Sequence, residues 1–515
     1  MIPLTAKWVA ELVGWRRCGL AFILGAFATL ALPPTYLFPL LFLVFPPLVW
    51  LLNGAPRKLS AFAVGWWFGF GFFGIGLYWI GNALLVFASK FAWLLPFASA
   101  GLPAFLAIFC GVATLLAWFA KGTFRRAVSL ALAWVASEWL RGHILTGFPW
   151  NLIGYAWAGN EGLVQISALV GIYGVSLAVV LSACIPAALA DGRKPLRIVA
   201  LAITLPLLIW VGGTARLSFA QAATYVNGVG LRIVQSDIPQ REKWAPAYQE
   251  RNLRQFLELS HENRPNWVTH VIWPETAATF FLSVNPNLRR TLSAIVPSGG
   301  LLITGVPRRL DNGKQVANAM VALNEKGESV AHYDKFHLVP FGEYVPLANL
   351  LPIDKITHGK QGFTPGPGTK TISILGLPSF SPLICYEVIF PGHVTDKSQR
   401  PAWLLNLTND AWYGISVGPH QHLAQARVRA VEEGLPMIRA AYSGISAIID
   451  PHGRILQQRP LNYAGFIDTR LPKEIAVTPY ASWGDVPFHI ILLLTAATLI
   501  FIPHNNQKAK KIEII

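Results

Sequence analysis

One of the four cysteines in this chain lies outside a long apolar segment: Cys385, in Pro382-Leu383-Ile384-Cys385-Tyr386-Glu387. A thiol so placed can be the nucleophile of an acyl transfer, on three conditions. A base must remove its proton, because a free thiol has a pKa of about 8.5 and the thiolate is the attacking species. A cation or hydrogen-bond donor must meet the charge that develops on the carbonyl oxygen. The thiol must also sit exposed at a strand end, within reach of both. Glu275, after Trp273-Pro274, is a candidate base, and Lys335, in Tyr333-Asp334-Lys335-Phe336-His337, a candidate cation. Each has a plainer reading when taken singly: a buried inert thiol, a solvated loop carboxylate, a surface lysine.

The elements around them are those of a layered domain. Residues 231–235, 268–273, 301–306 and 403–407 read as strands, so Glu275 follows a strand end, and Leu383-Ile384 leads into Cys385. Residues 324–327 read as a hairpin turn. The spacing predicts a helix over 246–262, with Leu253, Phe256 and Leu257 on one face. A second is predicted over 421–433, with Ala424, Val428 and Val431 on one face and Gly434 as its stop. Residues 438–441, 445–449 and the turn 450–453 complete a meander. Helices mixed with many strands imply a layered α/β domain.

The rest of the chain is of another kind. Of 515 residues, 53% are hydrophobic and 13% charged, against about 25% charged in a soluble domain. No Asp, Glu, Lys or Arg occurs in 18–56, 59–89, 91–120, 162–190, 198–215 or 486–507. A helix needs about 20 mostly apolar residues to cross a bilayer. Eight spans are predicted, at 18–32, 37–53, 60–82, 92–118, 127–142, 164–189, 198–214 and 487–503.

The formal net charge of +16 falls in clusters between these segments: Lys7, Arg16 and Arg17; Arg57 and Lys58; Lys121, Arg125 and Arg126; Arg193, Lys194 and Arg197; Lys508, Lys510 and Lys511. That is the pattern of cytoplasmic loops, and it argues against nucleic-acid binding. Threading the chain through the clusters divides it into a helical bundle (1–216), a domain outside the cytoplasm (217–485), and a last span with a basic tail (486–515), both termini being cytoplasmic. Arg16-Arg17, a short apolar run and Ala26-Phe27-Ala28 also resemble a cleavable signal peptide. After the fifth span, Gly147-Phe148-Pro149-Trp150 with Tyr155 and Trp157 reads either as an interfacial aromatic belt or as a wall for lipid, with Trp150 the substrate contact. Glu138 and Arg141, near the end of that span, read as structural.

Trp273-Pro274-Glu275, then Tyr333-Asp334-Lys335 with His337 to Tyr344 and Pro346, then Cys385-Tyr386-Glu387 occur in the order of the nitrilase (carbon–nitrogen hydrolase) superfamily. The run 426–434 and Ser443 to Gly453 are similar to that superfamily too. The resemblance implies an α-β-β-α sandwich and a triad in which Glu275 accepts protons, Lys335 stabilises the oxyanion and Cys385 attacks. With seven spans before the domain and one after it, the chain resembles the apolipoprotein N-acyltransferases of the bacterial inner membrane.

That resemblance implies a phospholipid acyl donor, phosphatidylethanolamine through its sn-1 chain, and a thioester on Cys385. It implies a diacylated apolipoprotein as acceptor, no cofactor, no metal, no nucleic acid, and a monomer. By motif position, Glu343 orients Lys335 or acts as a further acid–base group, and Tyr386 and Glu387 shape the pocket. Trp244, in Arg241-Glu242-Lys243-Trp244, matches a family tryptophan near the acyl path; its plainer reading is a packed surface aromatic.

His420-Gln421-His422 is too sparse for a metal site, having no neighbouring Cys or carboxylate set, and His337 reads as orienting its loop. Two rival functions remain on the page. A membrane-anchored amidase of the same superfamily would need one anchor, not seven spans. A transporter or receptor would call for charged or Gly/Pro-broken helix pairs and leaves the Glu-Lys-Cys set unexplained.

Overall fold

The computed structural model describes residues 2–192, 195–220, 222–310, 313, 315–349, 354–357 and 362–501. Arg193, Lys194, Lys508, Lys510 and Lys511, with the end of the eighth predicted span, lie outside the described residues. The strands are β1 (Tyr225–Gln235), β2 (His270–Ile272), β3 (Leu301–Arg309), β4 (Val316–Leu323), β5 (Ser329–Asp334), β6 (Ile372–Ile374), β7 (Leu377–Ile384), β8 (Trp403–Asn409), β9 (Met437–Tyr442), β10 (Ala447–Ile449), β11 (Ile455–Gln458) and β12 (Gly465–Pro472). They form two six-stranded sheets, in the orders β12-β1-β2-β3-β4-β5 and β11-β10-β9-β8-β7-β6. β1, β2 and β3 run parallel, as do β7, β8 and β9, and the flanking strands are antiparallel.

Side-chain alternation makes the layers. Trp403, Leu405 and Leu407 of β8 join Leu231 and Ile233 of β1 in the core between the sheets, whereas Leu404 faces the opposite way. Outside the first sheet, Phe256 and Leu292 of helices Gln249–His261 and Pro286–Ser293 cover Val271 and Leu302. Outside the second sheet lies the helix Gly418–Glu433. These layers are the expected α-β-β-α order. The predicted turn at 324–327 joins β4 to β5, and Gly434 ends its helix with φ 65°.

The helix predicted over 421–433 forms, with Ala424, Val428 and Val431 buried. Its charged side chains Arg427, Arg429, Glu432 and Glu433 are buried as well. One side of the helix packs on the second sheet and the other on the apolar helices, within one shared core. Buried charges need partners, and these have them. Arg429 pairs with Glu432 at 2.9 Å, and Glu432 accepts the Ile172 N–H at 2.8 Å, beside the bend at Gly171. Arg427 donates to the Ala158 carbonyl at 2.7 Å.

Among the described residues, helices occupy the predicted span positions. Four of them, Lys58–Gly76, Ala88–Trp118, Ser167–Asp191 and Pro195–Phe219, are by length and composition able to cross a membrane among the described residues. Phe38–Asn53 and Val486–Leu499 are shorter apolar helices, Gly14–Ala28 has 15 residues, and Thr123–His143 carries several charges. Lys58–Gly76 packs backbone to backbone on Leu102–Trp118: a Cβ at Gly65 would fall 2.3 Å from the Cys110 carbonyl oxygen.

Candidate active site

Glu275, Lys335 and Cys385 each follow a strand: β2, β5 and β7 respectively. All three line one cavity of about 850 Å³ that runs from the sheets into the apolar helices. Cys385 opens the short 3₁₀ turn Cys385–Ile389 with φ 52°, a left-handed conformation uncommon outside glycine. It stands at a strand end as expected, but it is buried rather than exposed. Its thiol lies 3.9 Å from the Tyr413 hydroxyl. Burial, and then the charge of Glu275, push the thiol up to about 12, with Lys335 opposing. At neutral pH Cys385 is therefore a thiol that needs a base.

Lys335 is buried between two carboxylates, Glu343 at 2.8 Å and Glu275 at 3.7 Å. Burial alone would lower its pKa; the two carboxylates overcome that and raise it, so the ammonium stays charged. Asn318 of β4 ties the pair together, its amide donating to Glu275 Oε1 at 2.7 Å and to Glu343 Oε1 at 2.9 Å. Glu343 also accepts the Val339 N–H at 2.8 Å, which fixes the loop that carries it. A base, a fixed cation and a thiol at the end of an apolar cavity can transfer an acyl group.

The supporting residues divide. Tyr386 lines the cavity and donates its hydroxyl to the Gly147 carbonyl at 3.1 Å, joining the sheets to the loop after Thr123–His143. Glu387 does not line the cavity, so its expected role in shaping the pocket is corrected. Its carboxylate accepts from the N–H groups of Ile384, Phe336 and His337 and from the Tyr333 hydroxyl. It binds the Lys335 loop to the Cys385 turn. Burial pushes Glu387 up to about 7 against these donors.

Trp244 and Trp150 both line the cavity. Trp150 is fully buried, and so are Tyr155 and Trp157, which removes the interfacial-belt reading. Its indole donates to Gln421 at 2.8 Å and its ring packs on Trp79. Glu138 and Arg141 are buried and held by Ile153, Trp134, Phe148 and Trp150. His337 reaches the Thr146 carbonyl at 2.8 Å.

Sequence reasoning passed over Lys243, Asn318, Tyr413 and His422 as parts of the site. Lys243 donates to the Glu275 carbonyl. His422 donates from Nε2 to the Cys385 carbonyl at 3.1 Å, while its Nδ1 lies 2.9 Å from Asp410. Lys243 stands in a short charged segment beside Trp244, with no apolar run next to it to signal its burial.

Residues 24–185 match the family profile of the apolipoprotein N-acyltransferase N-terminal domain, and residues 231–480 that of the carbon-nitrogen hydrolases. The apolipoprotein N-acyltransferase of Rhodopseudomonas palustris is 41% identical over 507 residues, 93% of this chain and 94% of its own. That of Brucella suis is 40% identical over 526 residues, 97% of each chain. Among solved structures, a nitrilase-superfamily amidase from Nesterenkonia aligns with TM-score 0.38 and 17% identity, over 53% of this chain and 100% of its own.

Proposed function

Since the chain belongs to the apolipoprotein N-acyltransferase family, and is thus a membrane acyltransferase that N-acylates lipoproteins from a phospholipid donor, we propose that Cys385 carries the acyl group between the two substrates as a thioester. The observation that carries this reading is that Glu275, Lys335 and Cys385 share a chamber with apolar side chains of the helix bundle, among them Leu84, Leu102, Phe105, Leu106 and Phe109.

Glu275 takes the Cys385 proton as sulfur attacks the ester carbonyl. Lys335, held charged by Glu343, stabilises the tetrahedral oxyanion. The ester C–O bond breaks, Glu275 returns the proton to the leaving lysophospholipid, and the thioester remains. The α-amine of a diacylglyceryl-cysteine then attacks, Glu275 accepts its proton and passes it to the departing Cys385 sulfur as the C–S bond breaks, an amide forms and the free thiol and carboxylate are restored. Both substrates are anchored in lipid, so a site opening on apolar helices brings them together at high effective concentration. The burial of Cys385 keeps water, the competing acceptor, away.

The donor is phosphatidylethanolamine, used through its sn-1 chain. The chain crosses the inner membrane eight times as a monomer, with 1–216 as bundle, 217–485 as a periplasmic catalytic domain, 486–515 as a last span and tail, and both termini cytoplasmic. Intact mass spectrometry after incubation with phosphatidylethanolamine tests the chemistry. Wild type gains one acyl chain and loses it on addition of a diacylated lipopeptide; Cys385→Ala gains none. Acylation that persists in Cys385→Ala overturns the assignment.

A further inference from the structure

The chamber that reaches Cys385 has a far end inside the bundle. On the helix Leu102–Trp118, the side chains of Leu102, Phe105, Leu106 and Phe109 line it, three and four residues apart on one stripe. The next position of the stripe, Ala113, does not. It lines a separate void of about 10 Å³, deeper in the bundle. Two residues line both spaces, Phe109 and Arg141, and so form the partition between them.

Neither side of the partition can yield easily. Arg141 donates to the carbonyls of Phe148 at 2.6 Å and Trp150 at 2.8 Å. Behind it, Glu138 accepts from the Trp134 indole at 3.1 Å and the Ile153 N–H at 2.9 Å. The backbone that carries Phe109 is pinned by its neighbour helix, because a Cβ at Gly69 would already stand 2.9 Å from the Ala107 Cα. Hydrocarbon will not displace a hydrogen-bonded guanidinium and carboxylate, whose desolvated, unpaired forms are costly.

We propose that Phe109 is the stop that sets the longest acyl chain the enzyme accepts on Cys385, an inference that rests on the thioester reading above. A chain esterified at Cys385 leaves the polar wall of Glu275 and Lys335 and runs along the apolar stripe. Its terminal methyl meets the Phe109 ring. A longer chain has no further apolar space in that direction, and a shorter one leaves the stripe uncovered.

The test offers detergent-solubilised full-length enzyme an equimolar mixture of phosphatidylethanolamines whose sn-1 chains range from lauroyl to arachidoyl. The acyl groups on Cys385 are read by intact mass. Phe109→Trp should favour shorter chains and Phe109→Ala longer ones, each moving the ratio of longest to shortest by roughly tenfold, the scale at which a closed apolar pocket reads one methylene. Ile108→Ala, on a neighbouring side chain that does not line the chamber, should leave the distribution as in wild type. Should the Trp or Ala variant fail to fold, Phe109→Leu decides: a shift toward longer chains supports the stop. Superimposable distributions in fully acylated Phe109 variants and wild type overturn it and leave the thioester intact. Absence of any acyl adduct on wild type overturns the thioester reading instead.

Discussion

The ammonium of Lys243 lies 3.0 Å from the backbone carbonyl oxygen of Glu275 and donates to it. Lys243 is completely buried, 3.8 Å above the Tyr442 ring. It therefore holds the backbone of the proposed base, whose carboxylate faces Lys335, and it does not itself line the chamber. Lys243→Met preserves most of the volume and deletes the donor. An orphaned buried carbonyl costs about 1–3 kcal/mol, so the melting temperature in detergent should fall. Single-turnover thioester formation should slow by roughly tenfold, the effect of about 1.4 kcal/mol on a barrier, with KM for phospholipid little changed. A Met variant as fast and as stable as wild type would remove Lys243 from the site.

The same lysine makes a pH prediction. Burial lowers its pKa from 10.5 to about 7, against the pull of Glu275 and Cys385. Between those two values the unfolded chain binds more protons than the folded one, so this group's contribution to stability rises with pH across that window. Melting curves recorded from neutral to alkaline pH should show a smaller rise, or a steeper fall, for Lys243→Met than for wild type. Parallel pH profiles would contradict the assignment.

Cys385 and Glu275 should respond in opposite senses to one mutation. The Cys385 thiol stands near 12, raised by burial and then by the Glu275 charge. Glu275→Gln removes that charge, so the thiol pKa falls and the thiolate fraction at a given pH grows. Alkylation of Cys385 by iodoacetamide at alkaline pH should then be faster than in wild type, at most about tenfold for each unit the pKa falls. Acyl transfer should meanwhile be lost, because the base is gone. If alkylation and acylation slow together, Glu275 is a structural carboxylate.

Much of this was legible in the sequence, for identifiable physical reasons. The apolar runs that end at Trp273 and Ile384 mark strand ends, and Glu275 and Cys385 follow them. The layered fold followed from the same runs. What escaped were residues whose environment is supplied from far along the chain. Lys243 sits in a charged four-residue turn, and Tyr442 and Glu275, distant in sequence, lie against its ammonium. Arg429 and Glu432 look like a solvated helix face until the Ile172 N–H is set against them. Trp150 reads either as interfacial or as part of a lipid wall, because its partner Gln421 lies 271 positions away. Gly14–Ala28, with 15 residues, is shorter than the about 20 that a bilayer crossing needs, so apolar length alone does not mark it as a span.

Gln421 is the clasp between the helix bundle and the sheets. Its Oε1 accepts from the indoles of Trp79 at 3.1 Å and Trp150 at 2.8 Å, and its amide donates to the Gly76 carbonyl at 3.2 Å. Gln421→Leu leaves those groups unpaired in a buried setting, at about 1–3 kcal/mol each. A clear drop in melting temperature should accompany a changed tryptophan emission, because both indoles lose their acceptor. Tyr386→Phe, which frees only the Gly147 carbonyl, should show a smaller drop of the same sign. An unchanged melting temperature in Gln421→Leu would mean that the two parts dock without it.

His422 should position the nucleophile without touching substrate. Its Nε2–H donates to the Cys385 carbonyl at 3.1 Å, and its Nδ1 lies 2.9 Å from Asp410 Oδ1 and 3.2 Å from the Arg439 guanidinium. Arg439 in turn reaches Asp410 Oδ2 at 2.7 Å, and all of these side chains are buried. The bond matters because Cys385 has φ 52°, a conformation that costs about 1–3 kcal/mol and persists only when its surroundings impose it. His422→Leu lets the turn relax, and a displacement of the thiol by about 1 Å can cost a hundredfold in rate. His422→Gln can still offer an N–H to that carbonyl. The expected order of thioester formation is wild type, then Gln, then Leu, with Gln and Leu at least about tenfold apart if the N–H alone supplies 1.4 kcal/mol. Iodoacetamide labelling of Cys385 reports separately on whether the thiol is present in a folded site. Equal rates for Gln and Leu, with equal labelling, would show that the hydrogen bond to Cys385 is not what His422 contributes.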